Sequence, residues 1–169
     1  LTHIRYSDEV IRDRPPDWPI QLPANPLKEP DMKTAKRHEV VFSGGMMGNM
    51  VARDMGINTT TSNSMMGMMG MMHSKKIWFV NGVAAEGHIM DPMLTLDLDR
   101  SHVIAMTNAS AWYHPIHLHG HSFRVISRNG KTTKHREWQD TVLMAPREIV
   151  EIVFVADNPG DWMFHCHIL

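Results

Sequence analysis

The sequence predicts an all-β chain, a sandwich or barrel, on three observations. Short apolar runs repeat from about residue 75 onward, turn-forming residues separate them, and none carries a 3.6-residue helical period. At 169 residues there is room for one ordinary domain with an extra segment, because compact domains most often run about 100–150 residues.

The start, Leu1-Thr2-His3-Ile4-Arg5, lacks the charged, apolar and small-residue regions of a signal peptide, and because the first residue is not Met the chain reads as an internal piece. Six prolines follow between Arg14 and Pro30. Each fixes φ and removes a backbone donor, so this stretch is expected to run extended over a surface as a linker. Val40-Val41-Phe42 before Ser43-Gly44-Gly45 reads as a strand ending in a turn.

Ten of the sixteen methionines fall between Met46 and Met72 among Gly, Asn, Ser and Thr, with no clean period. That composition predicts a mobile insertion. Beyond Lys75-Lys76, the run Ile77-Trp78-Phe79-Val80 closes on Asn81-Gly82. Leu94, Leu96 and Leu98 alternate with polar residues, and Val103-Ile104-Ala105-Met106 reads as a buried strand. Val150, Ile152 and Phe154 alternate around Glu151 and Val153 before the turn Asn158-Pro159-Gly160.

Composition excludes several partners. With 17 basic and 18 acidic residues the net charge is -1, which gives no electrostatic case for nucleic acid or an anionic membrane. No apolar run reaches the roughly 20 residues that span a bilayer. Cys166 is the only cysteine, so its thiol is left for packing, redox chemistry or a metal.

Chemistry concentrates in two clusters, His114-Pro115-Ile116-His117-Leu118-His119-Gly120-His121 and His165-Cys166-His167. Successive strand side chains point to opposite faces, so His165 and His167 are expected on one face and Cys166 on the other. A thiolate can then bind one metal while its neighbours bind a second centre behind it. Soft thiolate with imidazole suits copper, and two histidines with one cysteine is the pattern of blue-copper electron transfer. If residues 116–123 form a strand, His117, His119 and His121 share a face; two of these with His114 are candidate ligands. Zinc or iron is the minor alternative for such a histidine run. His3, His38, His73, His88, His102 and His135 lack partners at ligand spacing and read as ordinary surface or core residues.

The motifs HPIHLHGHSF (114–123), WQDT (138–141) and DWMFHCHIL (161–169) resemble the C-terminal domain of the multicopper oxidases, the laccase-like family. The match covers roughly residues 77–169, and Phe42-Ser43-Gly44-Gly45-Met46-Met47 with the proline-rich stretch resembles the preceding interdomain segment of bacterial members. The resemblance implies a cupredoxin-like Greek-key β-sandwich. It divides the chain into a linker and end of a preceding domain (1–37), a first strand with the Met-rich insertion (38–76), and a plastocyanin-like domain truncated at its C-terminus (77–169).

The resemblance also implies roles. His114 and Cys166 match ligands of a type 1 copper, His117 a ligand of a type 2 copper, and His119, His165 and His167 ligands of a type 3 pair. His121 matches a position that is not a ligand. Asp140 is read either as an acceptor that orients an imidazole or as a solvated turn residue. The implied partners are dioxygen, a small reducing substrate or cuprous ion, and N-terminal cupredoxin domains of the same chain; the implied location is periplasmic or secreted. A second type 1 histidine and an axial ligand are expected just beyond Leu169, so the isolated chain is expected to be inactive.

The methionine segment resembles the insertions of bacterial cuprous oxidases. Two readings of it stand side by side, capture of copper(I) by soft thioethers and a flexible adaptable loop. The alternative to an oxidase domain is a copper-binding or copper-storage module without turnover.

Overall fold

The computed structural model describes residues 3, 5, 8, 9, 21–45, 47–57, 78–84 and 91–168. Residues 10–20 of the proline-rich stretch, residues 58–77 of the methionine segment and its junction, His73 and His88 lie outside the described residues.

Among the described residues, ten strands and one short helix follow in the order β1 (Lys36–Gly44), α1 (Gly48–Asp54), β2 (Trp78–Val80), β3 (Ser101–Ala109), β4 (His114–Leu118), β5 (Phe123–Arg128), β6 (Lys131–Thr132), β7 (Trp138–Gln139), β8 (Thr141–Met144), β9 (Ile149–Val155) and β10 (Phe164–Cys166). One sheet runs β2-β1-β3-β9-β5-β6 with β7 also on β5, and a three-stranded sheet runs β10-β4-β8. The β1/β3 pair is parallel, with Val40 opposite Met106, and the remaining strand pairs are antiparallel.

The core fills the space between the two sheets. Val40, Phe42, Ile104, Met106, Phe123, Val125, Val150, Ile152 and Phe154 of the large sheet face Ile116, Leu118, Val142 and Met144 of the small one. Along each strand these core residues recur at every second position, as a strand with one core-facing side requires. Fully burying one such side chain contributes about 1.5–3 kcal/mol. Phe164 and Cys166 of β10 pack on the rim of this core, which ties the last strand to the sandwich.

Three sequence expectations change. Residues 91–100 form turns and extended chain instead of a strand; Leu94 and Leu96 still pack on the core, but Leu98 is exposed. The chain turns there at Asp99, whose φ is +58° and whose N–H donates to the Ala156 carbonyl. Residues 116–123 do not form one strand, because Gly120 at φ +71° turns the chain between β4 and β5. In the described part of the methionine segment, Gly48–Asp54 is helical and buries Val51 and Ala52, whereas Met47 and Met50 stay exposed. The strand expected at Val40-Val41-Phe42 is present as β1, Lys36–Gly44, and supplies Val40 and Phe42 to the core.

Candidate metal centre

Strand alternation sorts the candidate ligands. Along β4, His114, Ile116 and Leu118 are buried, while Pro115 and His117 are half-buried and point the other way. The antiparallel β10 lies beside it with Cys166 opposite Ile116 and His165 opposite His117. Cys166 therefore joins the core face with His114, and His165 joins the outer face with His117.

On the core face, the His114 Nδ1 lies 3.5 Å from the Cys166 Sγ. The His114 ring is 3% exposed, Trp78 stands edge-on to it at 4.9 Å, and its Nε2 meets the Ser110 hydroxyl at 2.9 Å. Burial holds the His114 pKa below its ordinary value, which favours the neutral, ligating form. Gly45 is required beside this pocket: its φ is +75°, and a Cβ there would lie 2.8 Å from Trp78 and 3.0 Å from Trp112.

On the outer face four imidazoles gather. His165 and His167 stack at 5.2 Å with 5° between their planes, and His117 stands edge-on to His167 at 4.9 Å and to His119 at 4.6 Å. The His119 Nε2 approaches the His165 Nε2 to 2.9 Å. His165 Nδ1 faces the Cys166 carbonyl at 3.0 Å, so it carries the hydrogen and leaves Nε2 as a lone pair. By the same reasoning His117 Nδ1 donates to the Asp140 carbonyl at 2.8 Å, with the Thr141 hydroxyl at 3.0 Å, leaving its Nε2 free. Burial and then the three neighbouring histidines His117, His165 and His167 depress the pKa of His119.

Asp140 orients His117, but through its backbone. The carboxylate is 3.9 Å away and 67% exposed, too remote for a hydrogen bond. His119 and His121 diverge at Gly120: His121 packs on Phe154 and Trp162, with its Nδ1 3.3 Å from the His119 carbonyl. It also lines a cavity of about 290 Å³ beside His117, Lys28, Trp138 and Asp140.

The donors fit copper. A thiolate sulfur with a neutral imidazole nitrogen, and imidazole lone pairs gathered at close range behind it, are the soft and borderline donors that copper prefers. Among the described residues no three donors converge closely enough to hold an ion alone. The donors come instead in pairs, His114 with Cys166 and His119 with His165.

Sequence reasoning missed Ser110, Thr141 and Trp78, which contact these ligands through hydroxyl groups or ring edges and carry no metal-binding spacing. It also missed the pairing of His38 with His102, whose ring nitrogens lie 3.0 Å apart across the β1/β3 pair. Sixty-four residues separate them, and the signal that would have joined them was the parallel strand pairing.

Comparisons with known proteins identify the family and the fold. The multicopper oxidase MmcO of Mycobacterium tuberculosis is 36% identical over 99 residues, which cover 59% of this chain and 18% of that protein. A multi-copper oxidase from Pseudomonas thermotolerans superposes with a TM-score of 0.64 at 28% identity, covering 90% of this chain and 30% of that one. A Campylobacter jejuni multicopper oxidase, described as a metallo-oxidase, gives 0.59 at 26% identity over 88% of this chain and 30% of that one. The fold is thus the cupredoxin-like one of these oxidases, and the chain spans about a fifth to a third of the length of its relatives. A family model described as multicopper oxidase matches residues 57–169, the stretch that carries both histidine clusters and Cys166, and by that match the chain belongs to the copper-dependent multicopper oxidases.

Proposed function

We propose that this chain is the copper-carrying C-terminal domain, over residues 77–169, of an oxidase that takes single electrons from a reducing substrate and delivers them to dioxygen, forming water. Copper, when bound, supplies the one-electron chemistry. His114 and Cys166 hold the type 1 ion, His117 contributes to the type 2 ion, and His119, His165 and His167 contribute to the type 3 pair.

One observation carries the reading: Cys166 and its two neighbours face opposite sides of one strand, with a candidate donor of β4 on each side. The covalent path from the Cys166 sulfur through the backbone to His165 and His167 therefore links two metal sites. His114 is buried and Cys166 packs half-buried against the core, which limits water on the electron-accepting side. Backbone carbonyls of Asp140 and Cys166 hold the imidazoles of His117 and His165 with lone pairs outward.

Metal ions, cuprous ion among them, or small organic reductants are the expected substrates, in keeping with the metallo-oxidase among the structural neighbours. N-terminal cupredoxin domains of the same protein complete the cluster, and the setting is periplasmic or secreted. With donors only in pairs among the described residues, residues 1–169 alone are expected to show no oxidase turnover. The test is a pair of variants in the copper-loaded full-length oxidase that contains this chain. Cys166→Ser loses the visible thiolate-to-copper absorption and the oxygen consumption, whereas His117→Ala keeps the absorption and loses the consumption. An unchanged visible band in Cys166→Ser overturns the reading.

A further inference from the structure

Behind His114 lies a chain of buried polar side chains that the ligand assignment does not use. Asn108, Ser110 and His114 are 0%, 0% and 3% exposed. Buried polar groups must be satisfied, so the direction of each hydrogen bond can be worked out.

Asn108 Nδ2 lies 2.7 Å from the Trp112 carbonyl and 2.8 Å from the Ala145 carbonyl. Both partners only accept, so the NH₂ group must be on that side. Asn108 Oδ1 therefore faces Ser110, where it accepts from the Ser110 N–H at 3.1 Å and from the Ser110 hydroxyl at 2.7 Å. The hydroxyl has one hydrogen. Were it directed at His114, two oxygen lone pairs would be forced together at 2.7 Å. The Trp112 carbonyl, at 3.3 Å, is the longer alternative and already takes an Asn108 hydrogen.

Ser110 thus spends its hydrogen on Asn108 and offers lone pairs to the Trp112 N–H at 3.2 Å and to His114 Nε2 at 2.9 Å. His114 Nε2 must carry the ring hydrogen, which leaves Nδ1 as a lone pair aimed toward the Cys166 sulfur 3.5 Å away.

We propose that Asn108 and Ser110 are positioning residues that fix His114 in its Nε2–H tautomer and so select Nδ1 as the metal-binding nitrogen. The two backbone carbonyls of Trp112 and Ala145 set the direction of the whole relay. The proposal rests on the reading of His114 and Cys166 as a copper site, but the tautomer exists without metal and is measured without it.

The experiment is ¹⁵N-edited NMR of the His114 ring in the copper-free protein, followed by copper titration. The expected spectrum has the hydrogen on Nε2 and an unprotonated Nδ1; a hydrogen on Nδ1 overturns the proposal. Ser110→Ala is expected to populate both tautomers and to weaken copper binding about 10- to 100-fold, as loss of a ligand's hydrogen-bond partner does. Ser110→Thr, which keeps the hydroxyl, restores the single tautomer. A Ser110→Ala protein with wild-type tautomer and affinity overturns the proposal. Failure of the wild-type protein to show a thiolate-to-copper band defeats the copper reading instead, and leaves the NMR result to judge the tautomer.

Discussion

His165 lies directly opposite His117 in the antiparallel pairing of β10 with β4, and this one register places His165 and His117 on one face and Cys166 and His114 on the other. Strand side chains alternate with period two, so a slip of one residue would carry Cys166 to the histidine face and His165 into the core. Phe164 resists that slip. It packs on the core and meets Phe42 at 6.0 Å, next to the His167 N–H that donates to the Pro115 carbonyl at 2.9 Å. Phe164→Ala is expected to cost about 1–3 kcal/mol, below the full cost for a buried aromatic because Phe164 is only half-buried. Denaturant unfolding gives the energy, and hydrogen exchange at His167 should quicken by more than at the buried strand β3; equal protection in variant and wild type would show that Phe164 does not hold the register.

Gly120 separates the direction of His119 from that of His121. At φ +71°, with a built Cβ 2.4 Å from the Trp162 ring, it has no room for a side chain. Gly120→Ala is expected to destabilise the fold by more than about 1 kcal/mol and to displace Trp162. Thermal unfolding and tryptophan fluorescence report the two effects; a variant that matches wild type in both would mean the turn relaxes freely.

Acid stability should depend on His38. Its Nε2 meets His102 Nδ1 at 3.0 Å, and His102 Nε2 faces the Asp97 carbonyl at 3.1 Å. Burial, then the charge of His102 and that of Lys36, lowers the His38 pKa, against a smaller opposing pull from Asp97. The folded state therefore binds a proton less readily than the unfolded chain. Stability from this group is present above the ordinary value of 6.5 and falls as pH drops from there through the lowered folded pKa. Urea midpoints measured against pH should decline through this window in wild type and decline less in His38→Gln; parallel curves would remove His38 as the cause.

Much of this was legible in the residues, for identifiable reasons. Alternation around Ile152 and Phe154, and the Asn81-Gly82 turn with both φ values positive, are local signals, and local signals survive without coordinates. The split of Cys166 from His165 followed from strand period alone. The Leu94-Leu96-Leu98 alternation misled because two of its leucines do pack on the core, but along chain that has no strand partner. The His38–His102 pair and the Asn108–Ser110 relay depend on strand pairing and on a tight turn, which composition does not encode. Gly48–Asp54 was hidden by its setting among methionines and glycines, since only Gly48, Val51 and Ala52 mark its buried face.

The sequence offers two readings of Asp140, an acceptor that orients an imidazole and a solvated turn residue; its carboxylate is exposed while its backbone carbonyl accepts from His117, which suggests a contrast between neighbours. Asp140→Asn alters a group that is 67% exposed and 3.9 Å from His117 Nδ1, while the backbone acceptor at 2.8 Å remains. Its effect on stability should stay within about 0.5 kcal/mol, and copper affinity should be unchanged. Thr141→Val keeps the shape but removes the hydroxyl 3.0 Å from the same nitrogen, so the His117 ring keeps one partner of two. Copper affinity at the outer face should fall about 10-fold, the low end for a lost ligand partner. Competitive copper titration of both variants decides the matter: a larger loss in Asp140→Asn than in Thr141→Val would mean that the carboxylate, through water or a moved side chain, orients His117 after all.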